Sequence, residues 1–409
     1  MSQANAEMLE VDAALQLLLR QAAVTGAAQT VPIEQALGRV LAQDLPSPID
    51  VPGMDNSQMD GYAVRSADVG ASGTRLSVTQ RIAAGQVGRA LGPGEAARIF
   101  TGAPIPPGAD AVVMQEQCQE SDGQVRIDHA PRPGEWVRPR GFDVRSGGVV
   151  LQRGRRLRPQ DIGQAASVGV AAVQVAPRPR VALLCTGDEL AMPGQALRPG
   201  GVYNSNRYML RAMLEALGCE VGDLGQVADT LAATRDALHA AARSHDLVLS
   251  SGGMSVGGED HVRPAVESQG QLAHWRIAMK PGRPLAFGAI RRDDGGSAHF
   301  IGLPGNPVSS FVTFALFVRP FVLALQGASS LQPQSMLLPS ASAWPRADRR
   351  REFLRARLDA QGRVELYPEQ NSAVLSSTVW GDGLVDNPAG HAFAAGDAVR
   401  FIPFSGLLA

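Results

Sequence analysis

Between Arg180 and Gly327 apolar strand-like runs alternate with stretches of helical period, and that alternation leaves the chain few folds to choose from. RVALLC is followed by the helical SNRYMLRAMLEALG, CEVGDLGQV by TLAATRDALHAAARS, and DLVLS by a glycine-rich loop and a further helix. The strands HWRIAM, LAFGAI and HFIGL come next. PVSSFVTFALFVRPFVLALQG then closes the region as a long helix with Pro307 in its first turn. Such alternation predicts a doubly wound, mostly parallel sheet. Ser205 or Asn206 is the expected N-cap of the first of these helices.

At 409 residues the chain exceeds one ordinary core, so the flanking sequence must form further domains. Residues 8–23 carry apolar positions at helical spacing, and IEQALGRVLAQDL, 33–45, reads as a second, shorter helix. From Leu45 to about Val150 short β-like runs (TRLSVTQRI, DAVVMQEQC, QVRID) are punctuated by Gly and Pro, the texture of an all-β insert. Helical pattern returns at RPQDIGQAASVGV, ahead of the Pro-rich APRPR at 176–180. Beyond about Ser330, EFLRARLD, RVELYP and GDAVRFIPF predict a small barrel. The expected architecture is thus α/β and multidomain. A helical or mixed linking domain takes 8–45 and 145–178, a β-rich insert 46–144, the α/β domain 179–327 and a C-terminal β-barrel domain 328–409.

A formal charge of −1 gives no reason to expect nucleic-acid binding, and the basic run PRADRRREFLRARL, 345–358, reads as a solvated strand face. Cys118, Cys185 and Cys219 are odd in number and far apart, which argues against a disulfide framework or a zinc cluster. The amino-terminal residues lack the pattern of a secretory signal, and Arg319–Pro320 interrupts the longest apolar run. These features point to a cytoplasmic protein with no membrane partner.

In a doubly wound sheet, ligands bind outside the carboxyl ends of the strands. Three loops fall there: TGDEL (186–190), SSGGMS (250–255) and LPGNPVSS (303–310). Gly187, Gly252, Gly253 and Gly305 let backbone N–H groups approach an anion, and Thr186, Ser251, Ser255 and Ser309 add hydroxyl donors. The helix start around Pro304, Asn306 and Pro307 adds a positive dipole end. One such loop can be a turn and nothing more; three in one sheet read as an edge for phosphate or another oxyanion. Asp188, Glu189, Asp229, Glu259 and Asp260 lie just past strand ends without cations alongside, which suits a hard divalent ion such as Mg2+. For Asp188 or Asp229 alone, helix capping is the competing role. RIAMKPGRPLAFG, 276–288, brings Arg276, Lys280 and Arg283 to the same edge. In the insert, DNSQMDGYAV and TGAPIPPGAD place Asp60 and Thr101 in turns to which composition assigns no task.

Taken in order, SQMDGYAV, TGAPIPPGAD, GFDV, TGDEL with the later NSN, SSGGMSVG, MKPGRP and LPGNPVS resemble the motifs of the molybdopterin molybdenumtransferase family, the bacterial MoeA proteins and the gephyrin E domain. The resemblance spans nearly the whole chain. It implies an enzyme of molybdenum cofactor synthesis that takes adenylylated molybdopterin and molybdate, releases AMP with Mg2+, and loads molybdenum onto the dithiolene. It further implies a homodimer in which the insert of one subunit overhangs the sheet domain of the other, giving Asp60 and Thr101 the task of completing the partner's site. Glu189, Asp229 and Asp260 would then hold the metal, Ser251 and Ser255 would cradle phosphate or pterin, and Lys280, Arg283 and Ser309 would attract molybdate. The pathway partners it implies are molybdopterin adenylyltransferase and the maturation proteins of downstream molybdoenzymes. Gly258 stands where the family commonly has the first Asp of G-D-x-D, and Arg276 and Arg283 stand where Lys is common. The competing readings are the preceding adenylyltransferase, which lacks the insert and the barrel, a non-catalytic scaffold and a molybdate carrier.

Overall fold

The structure, a computed structural model, describes residues 8–252, 261–282 and 284–408. Six strands form the central sheet: β1 (Arg180–Cys185), β2 (Glu220–Gln226), β3 (Leu247–Ser251), β4 (Gly270–Arg276), β5 (Pro284–Arg291) and β6 (Ser297–Leu303). Their order is β2-β1-β3-β6-β5-β4. The first three pairings run parallel, and β5 lies antiparallel to both of its neighbours. The expected doubly wound sheet is therefore present, with a mixed edge.

Strand periodicity explains why both faces are covered. Val181, Leu183, Leu247 and Leu249 pack into one buried cluster, while Ala182, Leu184 and Val248 belong to another on the opposite face. The first cluster takes in helix α1 (Val11–Leu19) and helix α3 (Ser205–Ala216); α2 (Pro159–Ser167) packs elsewhere. The second is covered by α4 (Leu231–Ser244) and α5 (Val262–Gln269). The N-cap of α3 is Asn204, whose side chain accepts from the Arg207 N–H at 3.1 Å, one residue before the expected cap.

A single long helix, α6 (Pro307–Leu325), runs beneath the first face. Its length and apolarity would suit a membrane span, yet Phe311, Phe314, Phe317 and Phe321 are all buried in the core. Pro320 has no N–H to give the preceding turn, and the helix widens into a π segment over Phe314–Val318 just ahead of it.

The insert is a six-stranded sheet ordered 111–114, 61–64, 95–99, 74–82, 124–127 and 118–121. The expected helix over 33–45 is not formed. Only a 3-10 turn, Ile33–Gln35, appears, because Gly38 adopts φ +74° and ends any helical run, and Arg39 is drawn to the Ala176 carbonyl at 2.8 Å. Gln29–Pro32 instead pairs with Ala172–Val175, and Leu45–Pro46 with Val149–Leu151, which sew the two halves of the linking region together.

The C-terminal strands Met336–Pro339, Arg351–Leu358, Val364–Leu366, Gly383–Asn387 and Ala398–Pro403 wrap a core of their own. The basic run is not the solvated face expected. Arg355 is 0% exposed and bonds Ser377, and Arg351 is forked onto Asp386 at 2.6 and 2.7 Å. These residues anchor the C-terminal sheet from within.

Candidate active site

Register brings the strand ends to one edge. Cys185 is level with Ser251, Ser251 with Leu303, Gly302 with Ala286, and Pro284 with Arg276. Thr186, Gly252, Pro304 and Lys280 therefore all leave the sheet on the same side. Asp229 follows β2, whose Gln226 pairs with Cys185, and so reaches that edge as well.

The innermost part is a cradle built by Asn206. This residue is in the first turn of α3 and its amide donates to the Ser251 hydroxyl at 2.9 Å and the Gly305 carbonyl at 2.7 Å. Ser251 also meets the Ser310 hydroxyl at 3.3 Å. Gly252 has φ +88°, and a Cβ there would stand 3.1 Å from the Thr186 carbonyl, so loops 186–190 and 250–252 touch only because this residue is glycine. The Asn206 Oδ1 is buried and accepts no hydrogen bond among the described residues. Two hydroxyls beside a glycine loop suit the oxygens of an anion such as phosphate. Asn206 and Ser310 were not singled out from the sequence as site residues; the NSN motif was the available signal for the first.

Lys280 forms the second part. Met279–Lys280 pairs in parallel with Arg351–Glu352, so the residue leaves the α/β domain to join the C-terminal sheet. Its ammonium lies 3.3 Å from Glu352 and 3.8 Å from Asp348. Glu352 is only 1% exposed and also accepts from the Trp344 indole at 2.8 Å. Asp348 is held down to about 2 by its bonds with Arg350 and the neighbouring Lys280 charge. Lys280, Trp344, Arg346, Gln370 and Asn371 line a cavity of about 470 Å3. The 369–372 loop closes on the helix start: Ser372 accepts from Asn306 Nδ2 at 3.2 Å and, through its carbonyl, from the Val308 N–H at 3.1 Å. Behind this, Gly282 (φ +91°) nests against Ser309 and Thr313 of α6.

Other expected residues fall further out. Asp188 and Glu189 are exposed, with the Glu189 carboxylate folded over Gly187, and Arg276 is exposed at the end of β4. Asp60 accepts from the Thr101 N–H and hydroxyl, both at 2.8 Å, and those bonds lower its pKa. Among the described residues no hydrogen bond or ion pair joins Asp60 or Thr101 to the sheet loops. Gly253, Ser255, Asp260 and Arg283 lie outside the described residues. Among those described, no group of three acidic, His or Cys side chains is close enough together to hold a metal. The oxygen donors of Glu189 and Asp229 suit Mg2+ in kind, with Asp260 the third expected ligand.

This edge, fed by loops from an α/β sheet and closed by a C-terminal sheet, belongs to a known class. Residues 9–169 match the MoeA N-terminal region (domain I and II), 182–324 a probable molybdopterin binding domain, and 338–404 the MoeA C-terminal region (domain IV). A molybdopterin molybdenumtransferase of Haemophilus influenzae is 38% identical over 98% of this chain and 100% of its own length. Molybdopterin molybdenumtransferase 2 of Mycobacterium tuberculosis is 37% identical over 88% of this chain and 90% of its own. Two crystal structures of the molybdopterin biosynthesis MoeA protein from Pyrococcus horikoshii superpose on 97% of the chain. One has a TM-score of 0.85 at 28% identity and covers 100% of its own chain; the other has 0.78 at 31% and covers 99%. The chain belongs to the molybdopterin molybdenumtransferase (MoeA) family, and is a transferase of molybdenum cofactor biosynthesis.

Proposed function

We propose that this chain loads molybdenum from molybdate onto the dithiolene of adenylylated molybdopterin, with release of AMP, in the cytoplasm. The observation that carries the reading is the cradle in which one asparagine, Asn206, ties Ser251 to Gly305 at the mouth of the glycine loops. Ser251 and the Gly252 backbone hold the phosphate or pterin of the substrate. Lys280, fixed by Glu352 at 3.3 Å, presents a point charge to molybdate together with Ser309 and the start of α6. Anion capture beside the dithiolene keeps the anhydride from being lost to water, a proximity effect. Glu189, Asp229 and Asp260 would hold Mg2+, which would supply positive charge to offset that of the pyrophosphate. Asp60 and Thr101 complete the site of a partner subunit in a homodimer. The chain then stands between molybdopterin adenylyltransferase, which supplies its substrate, and the proteins that mature molybdoenzymes.

The test is AMP release from adenylylated molybdopterin and Mg2+, with and without molybdate. Release should be stimulated by molybdate and fall roughly hundredfold in Asp60→Asn and in Lys280→Ala. Wild-type rates in both variants would show the site misassigned; no release by the wild-type protein would remove the reaction itself.

A further inference from the structure

A second cleft lies far from the catalytic edge. It opens between the segment 152–159, which leads into α2, and the second half of α6, with a volume of about 560 Å3. Pro307 at the catalytic end and Arg319 at this cleft sit on one helix, roughly 18 Å apart at 1.5 Å per residue.

Four arginines line it: Arg155, Arg156, Arg158 and Arg319. The nearby acid, Asp161, is taken up by two of them, at 2.6 Å from Arg155 and 3.4 Å from Arg158. Arg156 and Arg319 have no ion pair among the described residues and bond only backbone carbonyls. Arg156 reaches Gly38 at 3.1 Å and Ala216 at 2.8 Å, and Arg319 reaches Leu331 at 3.0 Å. Arg319 is 7% exposed, and its Nε is buried with no partner. Burial lowers both guanidinium pKa values, and for Arg319, brought to about 10, the facing charge of Arg156 adds to the effect. Two like charges, one deeply buried, thus face a cleft with no counter-charge, an arrangement that costs stability unless an anion enters. Leu157, Leu323 and Ala328 supply an apolar wall.

We infer that this cleft binds a phosphate monoester, its oxygens forked by Arg156 and Arg319 and its apolar body against Leu157 and Leu323. A planar guanidinium matches a tetrahedral oxyanion with paired N–H groups, and the volume falls in the range of small-ligand pockets. The ligand would act on α6 from the end opposite the catalytic loops.

Isothermal titration of the full-length protein with phenyl phosphate tests this. Saturable binding is expected, weakened about tenfold or more by Arg156→Gln, by Arg319→Lys and by Ser330→Asp at the exposed rim. It should be unchanged in Lys280→Ala and in Ser251→Ala, since an oxyanion bound at the catalytic edge would depend on one or both of those residues. If Arg319→Lys does not fold, the other two variants decide. No saturable binding, binding that survives both Arg156→Gln and Ser330→Asp, or binding abolished by Lys280→Ala or by Ser251→Ala overturns the inference.

Discussion

Asn206 joins two strand-end loops through a single amide, donating 2.9 Å to Ser251 and 2.7 Å to Gly305. Replacement by Ala leaves both acceptors without their donor, the buried Ser251 hydroxyl and the part-buried Gly305 carbonyl, a loss of about 2 kcal/mol. Urea unfolding of Asn206→Ala should show that loss at unchanged m-value, and AMP release should fall with it as Ser251 loses its orientation. At Lys280 the chemistry is ionic. Asp348 titrates at about 2 because Arg350 and, more weakly, Lys280 stabilise its charged form, against about 3.9 for an unfolded Asp. A depressed carboxylate contributes stability above the unfolded value and loses it as pH falls through the folded one. The urea midpoint should therefore drop between pH 4 and pH 2, and Asp348→Asn should flatten that limb. Asp348 is partly open to solvent, so the slope will be modest. An acid limb of equal steepness in Asp348→Asn would assign the titration to other carboxylates.

At the scale of elements, Gly61 shows what the MDGYAV turn is for. A Cβ there would lie 1.9 Å from the Val113 carbonyl, backbone that cannot step aside while strands 61–64 and 111–114 remain paired. Gly61→Ala should cost roughly 1–3 kcal/mol and loosen the insert, seen as faster amide exchange across those two strands with the central sheet still protected. Undiminished protection would mean that the pair can shift to make room. Elements of this sheet and of the central one were legible because period-2 burial writes itself into residues such as Val181 to Leu184. The helix expected over 33–45 shows the opposite case: Leu37 is exposed and Gly38 has φ +74°, so apparent helical spacing carried no helix. The loops of the candidate site were legible as motifs. Two contributions were not. Met279–Lys280 is a two-residue strand whose partner, Arg351–Glu352, lies some seventy residues on, and no local pattern announces so short a pairing. The buried Arg355 and Glu352 read as surface charge because their partners Ser377 and Trp344 become neighbours only on folding.

For the whole molecule, the placement of the insert relative to the sheet decides how a site is completed. Asp60 and Thr101 bond each other, and among the described residues nothing ties them to the loops around Ser251. In a two-fold dimer each insert contacts the partner's sheet domain wherever its own partner does the same in return, so both sites are completed at once. On the proposed function, a site would then combine Asp60 of one subunit with Ser251 and Lys280 of the other. Co-expression of Asp60→Asn with Ser251→Ala tests that arrangement. Either homodimer has two defective sites. The heterodimer has one site carrying both substitutions and one carrying neither. Random pairing makes half the dimers mixed, so activity should return to about a quarter of wild type, and to about half in heterodimer purified by two tags. Were Asp60 to act on its own subunit's loops, every site in the mixture would carry one substitution, and mixing would restore nothing.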